Sequence, residues 1–165
     1  MPREDRDAME MLERCHHQLD QRLATLREAA GALATGGTES DLDDIHEVLR
    51  FLERGAVRHV DDEEQSLFPR LADHPPLAAV IATLRGQHRQ HEQLHAELAE
   101  LAPALMLPCP PEVAAALASI ADRLIAEYAA HVELEDRELL PAARAVLDAA
   151  ELETMLAEMQ ARRGR

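Results

Sequence analysis

His131-Val-Glu-Leu-Glu-Asp-Arg-Glu-Leu-Leu-Pro141 has a twin 72 residues upstream, His59-Val-Asp-Asp-Glu-Glu-Gln-Ser-Leu-Phe-Pro69. Each reads His-x3-Glu, then a second acid, an apolar pair, and a proline ten residues after the histidine. Residues four apart on a helix share a face. Each stretch therefore aims an imidazole and a carboxylate the same way, and its proline is expected to stop the helix. The same offset of 72 carries His16 onto His88, Leu12 onto Leu84, Leu52 onto Leu124 and Leu67 onto Leu139. Core and polar positions repeat together, which points to a duplicated helix pair around a polar centre.

Working outward, the chain is rich in Ala, Leu, Glu and Arg and poor in β-branched residues, so it reads as helical throughout. A first helix is expected from about Arg3 to about Ala34, with His16 filling a gap in the stripe Met9, Leu12, Leu19, Leu23 and Leu26. Thr35-Gly-Gly-Thr-Glu-Ser40 is a turn, with Ser40 or Asp41 the expected N-cap of the second helix. That helix carries Ile45, Val48, Leu52, Ala56, His59 and Glu63 on one side and ends near Pro69 or shortly after. The third presents Ile81, Leu84, His88, His91, Leu94, His95 and Leu98 before the loop Pro108-Cys-Pro-Pro111. The fourth runs from about Pro111 to Pro141, with Leu117, Ile120, Leu124, His131 and Glu135 inward.

The expected fold is all-α: one domain over 1–165, an up-down-up-down four-helix bundle over about 4–141, and a short amphipathic C-terminal helix over about 142–162. The basic tail from Ala161 to Arg165 is expected to fray. The Met-containing segment after Pro141 reads as packing or as a partner surface.

Composition excludes several function classes. A net charge of −15 makes nucleic acid and anionic membrane surfaces poor partners, and 2% aromatics leave little for base stacking. No apolar run is long enough for a membrane span, and Met1–Asp7 is charged rather than a secretory signal. Two cysteines, Cys15 and Cys109, suggest no disulfide framework, so a cytoplasmic setting is expected. Cys15 reads as a buried inert thiol. Nine histidines are the abnormal feature.

A buried carboxylate must be paired or metal-bound, because desolvating it costs several kcal/mol. His16, His59, His88 and His131 with Glu63 and Glu135 would lie at one depth of the bundle. Two metal ions compensate that burial if the glutamates bridge them and the histidines occupy the outer positions. Imidazole and carboxylate without thiolate suit iron or manganese, with zinc possible. Open positions would remain for a small molecule. Glu64 and Asp136, beside the expected bridges, read as supporting or solvated acids. Tyr128, one turn before His131, could donate a hydrogen bond at the centre. His17, about 100° around the helix from His16, is the poorer candidate for an inward role, and His46 and His74 read as surface residues. No catalytic acid/base pair is visible.

At these residues the sequence resembles the hemerythrin-like, HHE cation-binding family, whose pattern is histidine, His-x3-Glu, histidine and His-x3-Glu on successive helices. The resemblance spans roughly Asp5 to Ala143, including the Leu-Phe-Pro and Leu-Leu-Pro endings. It implies a non-heme di-iron bundle, oxo- or hydroxo-bridged, that reacts with or senses O2, H2O2 or NO. Oxygen carriers of the family use His-x3-His on the third helix and His-x4-Asp on the fourth. Here Glu135 stands four after His131, which is closer to the bacterial enzymes and sensors, while His91 and His95 do form a His-x3-His pair. The repeat selects His88 as ligand, whereas the helical wheel centres His91; His91 and His95 remain as additional ligands or supporting groups. The implied function is peroxide (catalase-like) or NO handling. The alternatives are a non-catalytic oxygen- or iron-sensing module using the C-terminal segment, or an iron donor for damaged iron centres.

Overall fold

The computed structural model describes residues 7–164 and is helical with no strand among them. The expected start of the first helix at Arg3, and the terminal Arg165, lie outside the described residues. Helix α1 is Ala8–Leu33, opened by Asp7, whose carboxylate accepts from the Glu10 amide at 2.9 Å. Helix α2 covers 39–71, α3 is Ala78–Leu101, α4 covers 111–146 and α5 is Ala149–Arg162. Helix α1 packs on α2 and α4, and α3 packs on α4. This is the up-down-up-down bundle the apolar stripes dictate.

The N-cap of α2 is Thr38, upstream of the expected Ser40 or Asp41. Asp41 instead reaches back, its Oδ2 accepting from the Thr38 amide at 2.6 Å and from its hydroxyl at 2.8 Å. The acid that looked like a cap serves as the third residue of the helix.

Neither Pro69 nor Pro141 stops its helix. Helix α2 continues to Leu71 and α4 to Val146. A proline ring collides with the carbonyl four residues before it in a regular α-helix. Here those residues, Gln65 and Arg137, lie inside π-turns, Glu63–Leu67 and Glu135–Leu139. The wider turn lets Phe68 donate to the Glu63 carbonyl and Leu140 to the Glu135 carbonyl, which leaves room for the ring. Both π-turns begin at the glutamate, so the repeat extends to backbone geometry. A third π-turn, Leu52–Ala56, lies in α2 alone.

Helix α5 is a separate element because Asp148 and Glu151 form a reciprocal capping box, with bonds of 2.8 and 2.9 Å. Its apolar face is buried: Met155 and Met159 are fully covered and join Met9, Leu12, Phe68 and Leu139 in one core cluster. The partner-surface reading of this segment is therefore corrected to packing. The described part of the tail is anchored rather than frayed. Arg162 Nη1 and Arg163 Nη2 donate to the two oxygens of buried Asp62 at 2.9 and 2.6 Å, and Arg162 also reaches Ser66 Oγ at 2.7 Å. A buried carboxylate on α2 supplies a partner that sequence periodicity cannot reveal.

Glu158 completes this clamp by taking both terminal nitrogens of Arg70, at 3.0 and 2.8 Å, and the Ser66 hydroxyl. Hydrogen bonds from Arg70 and then Ser66 hold its carboxyl down to about 2. A depressed carboxyl stabilises the fold above its unfolded pKa of about 4.3, and that contribution is lost as pH falls toward 2. Because Glu158 is partly exposed, Glu158→Gln is expected to cost about 1 kcal/mol at neutral pH. The gap from the parent, read as denaturant midpoints, should close on acidification.

Two apolar clusters fill the bundle. One runs from Leu19 through Leu26, Leu52, Leu98 and Leu124; the other contains Met9, Leu12, Leu67, Leu84 and Leu139. Each fully buried leucine contributes about 1.5–3 kcal/mol. The histidines and glutamates of the repeat form a polar layer among these residues.

Candidate metal centre

All six repeat-related residues are buried: His16, His59, His88 and His131 at 2–8% exposure, Glu63 and Glu135 at 0%. The α-helical span before each π-turn keeps the four-residue spacing intact. His59 Nε2 lies 3.1 Å from Glu63 Oε1, and His131 Nε2 lies 3.0 Å from Glu135 Oε1. The other two histidines cross between helices. His16 Nε2 lies 2.8 Å from Glu135 Oε2, and His88 Nε2 lies 3.0 Å from Glu63 Oε2.

These atoms form two overlapping donor groups. His16, His59, Glu63 and Glu135 each offer an atom within 4.8 Å of the others, and so do Glu63, His88, His131 and Glu135. Both carboxylates belong to both groups. Several of the close approaches are not aligned as hydrogen bonds: His16 Nε2, His59 Nε2, Glu63 Oε1 and both Glu135 oxygens are buried without a partner of proper geometry. Orphaned polar atoms are rare in a folded interior. Here they converge, and a cation at each group satisfies them. The donor set fits metal on its own chemistry.

Electrostatics within the layer are correspondingly skewed. Burial pushes the Glu63 carboxyl up, but His59, His88 and Glu135 around it outweigh burial and hold it well below the usual range. Burial pushes His59 and His88 down, yet Cys15 and Glu63 raise His59, and Glu63 and Glu64 raise His88. At His59 and His88 the neighbouring carboxylates thus favour the charged imidazole, with which a metal must compete.

Outer partners fix three of the imidazoles. Asp136 Oδ1 meets His16 Nδ1 at 3.2 Å, Glu64 Oε1 meets His88 Nδ1 at 2.9 Å, and Gln87 Oε1 accepts from His131 Nδ1 at 2.9 Å. Such bonds set the tautomer so that Nε2 keeps its lone pair inward. Glu64 and Asp136 are the acids next to the expected bridges; Gln87 is a residue the sequence reading passed over. The offset of 72 pairs Glu64 with Asp136 but pairs Gln87 with Cys15, so the repeat carried no signal for a role at Gln87.

His91 is in neither donor group. It is 1% exposed, with both ring nitrogens unpartnered, stacked on Tyr128 at 3.9 Å and edge-on to His131 at 4.9 Å between centroids. Burial, then the neighbouring histidines, lowers it to about 3, so it is neutral. Burial lowers His95 to about 4, and its Nε2 shares a 2.8 Å hydrogen bond with the Tyr128 hydroxyl. Tyr128 is therefore engaged away from the donor groups. His17 and His46 are exposed and His74 is half-buried. A cavity of about 400 Å³ reaches the layer between α2 and α3, lined by Val57, Val60, Glu64, His88, His91 and Tyr128 among others.

Over residues 7–161 the sequence matches the model of the hemerythrin HHE cation binding domain. The chain belongs to the hemerythrin HHE cation-binding family. It is also similar to an uncharacterized protein of Haemophilus influenzae, 29% identical over 158 residues that cover 95% of this chain and 90% of that one. The hemerythrin-like bundle and its buried His/Glu layer are compatible with a di-iron site. No helix among the described residues is long and apolar enough to cross a membrane.

Proposed function

We propose that Glu63 and Glu135 are shared ligands of two iron ions, with His16 and His59 completing one position and His88 and His131 the other. The protein takes up O2, H2O2 or NO there, and its chemistry is peroxide disproportionation or NO handling in the service of oxidative-stress defence. The observation that carries this reading is the sharing of both buried carboxylates between two donor groups. Nitrogen and oxygen donors without thiolate suit iron. Six side chains do not saturate two octahedral ions, so positions remain for a small molecule.

Two adjacent irons supply paired one-electron changes, which is the two-electron redox chemistry that peroxide requires. The chain's own residues hold and screen that chemistry. Asp136, Glu64 and Gln87 orient three imidazoles. Neutral His91 and Tyr128 put uncharged rings beside His131. The cavity between α2 and α3 gives a small molecule its approach. The reducing cytoplasm, suited to the free thiols Cys15 and Cys109, belongs to the same proposal. A sensing role that relied on α5 as a free docking helix loses that surface, because Met155 and Met159 are buried in the bundle.

Metal content and H2O2 consumption of protein from iron-replete cells test this reading. About two irons per chain, a ferric charge-transfer spectrum, and one O2 evolved for each two H2O2 consumed are expected. Zinc alone, or no metal, sinks the iron assignment; iron without peroxide turnover moves the chemistry to NO or to O2 binding.

A further inference from the structure

Every Lys/Arg position in the chain is an arginine, and acids outnumber them 32 to 17. Most described arginines accordingly have a carboxylate partner, as Arg22, Arg27, Arg85, Arg123 and Arg144 do. Arg50, Arg54 and Arg58 on α2 have none among the described residues, and all three line one groove of about 540 Å³ between α1 and α2. Arg22 reaches the same groove from α1, its guanidinium 5.8 Å from the centre of the Phe51 ring and bonded to Glu47, the one acid among the described lining residues. Like charges four apart on a helix repel, so the stripe is destabilising until an anion offsets it.

The backbone is shaped to the stripe. Four residues overshoot a regular helical turn by about 40°, so arginines four apart would drift around the helix. The π-turn Leu52–Ala56 lies between Arg50 and Arg58, and its wider turn offsets that drift. Within it Gly55 makes room for the aromatic ring, since a Cβ there would stand 2.8 Å from Phe51 Cε2. The offset of 72 takes Arg50, Arg54 and Arg58 to Asp122, Ala126 and Ala130, in a stretch of α4 that is regular helix. Stripe and π-turn are thus missing together from the other half of the repeat.

We propose that this groove binds a chain of linked phosphoryl groups, a di- or triphosphate that is either free or carried by a nucleotide. Three arginines at steps of four span about 12 Å along the helix, longer than one phosphate and suited to two or three in a row. A guanidinium fork takes phosphate oxygens in pairs, and a monoanion the size of a carboxylate would leave most of those donors unused.

Titration calorimetry of the full chain at low salt, with sodium tripolyphosphate, pyrophosphate and orthophosphate, tests this. Tripolyphosphate is expected to bind most tightly, with affinity falling as salt rises. Arg54→Gln and Arg58→Gln should each weaken it about 10–100-fold, the worth of a hydrogen bond to a charged group, with helicity unchanged. Arg27→Gln removes the same charge from an exposed site outside the groove and should leave affinity nearly unchanged. ATP binding more tightly than tripolyphosphate assigns the nucleotide as the source, and equal binding assigns the phosphate chain alone. No binding of any of these anions overturns the proposal. So does orthophosphate binding as tightly as tripolyphosphate, or a loss in Arg27→Gln as large as in Arg54→Gln.

Discussion

Replacing either Glu63 or Glu135 by alanine is expected to strip metal from both positions at once, whereas replacing His16 by alanine should empty only one. Each glutamate contributes an atom to both donor groups, while His16 contributes to a single group. Bound iron should fall well below one per chain in Glu63→Ala and Glu135→Ala, and to about one in His16→Ala. Removing an outer partner costs about 10–100-fold in affinity, so a direct shared ligand should cost more than about 100-fold at each position. Thermal stability gives a second readout. A metal present at 1,000 times its Kd stabilises by about 4 kcal/mol. The parent should therefore lose several degrees of Tm on chelation, and Glu63→Ala, Glu135→Ala should lose none. Two irons retained in that double variant would refute the donor assignment outright.

The second large effect is expected far from the centre in sequence. Arg162→Ala, Arg163→Ala leaves the Asp62 carboxylate, 1% exposed, without either of its cationic partners. An uncompensated buried charge costs about 3–5 kcal/mol. For a domain of this size that is roughly a 10 °C fall in Tm. Asp62→Asn is the informative control: the two arginines, 20% and 16% exposed in the native fold, regain hydration, so the cost should be smaller. Because Asp62 precedes Glu63 at the start of a π-turn, the double arginine variant should also bind metal more weakly at both positions. Unchanged stability in it would show that the clamp from α5 contributes nothing.

Much of the candidate centre was legible in one dimension. The four-residue step between His59 and Glu63, and between His131 and Glu135, is a property of a single helix, so it survives whatever the helix packs against. The offset of 72 then located His16 and His88 without any knowledge of which helices touch. It also decided between His88 and His91 in the direction the donor groups take. On a helical wheel His91 looked the better placed of the two, because a wheel measures centrality on an apolar face and says nothing of what stands opposite. Opposite His91 stands the ring of Tyr128.

What sequence alone determined was the helical content, the repeat and the depth at which the polar layer lies, all of which follow from local periodicity. Only the tertiary structure decided that Pro69 and Pro141 sit within continuing helices, because the π-turns before them change the carbonyl geometry on which the expected clash depends. Only it decided that Arg162 and Arg163 are anchored, since their partner Asp62 lies 100 residues away and charge patterning along a chain carries no record of such a pairing. The same holds for Gln87 on His131: an outer partner is chosen by the distance between two helices, which no spacing along either one encodes.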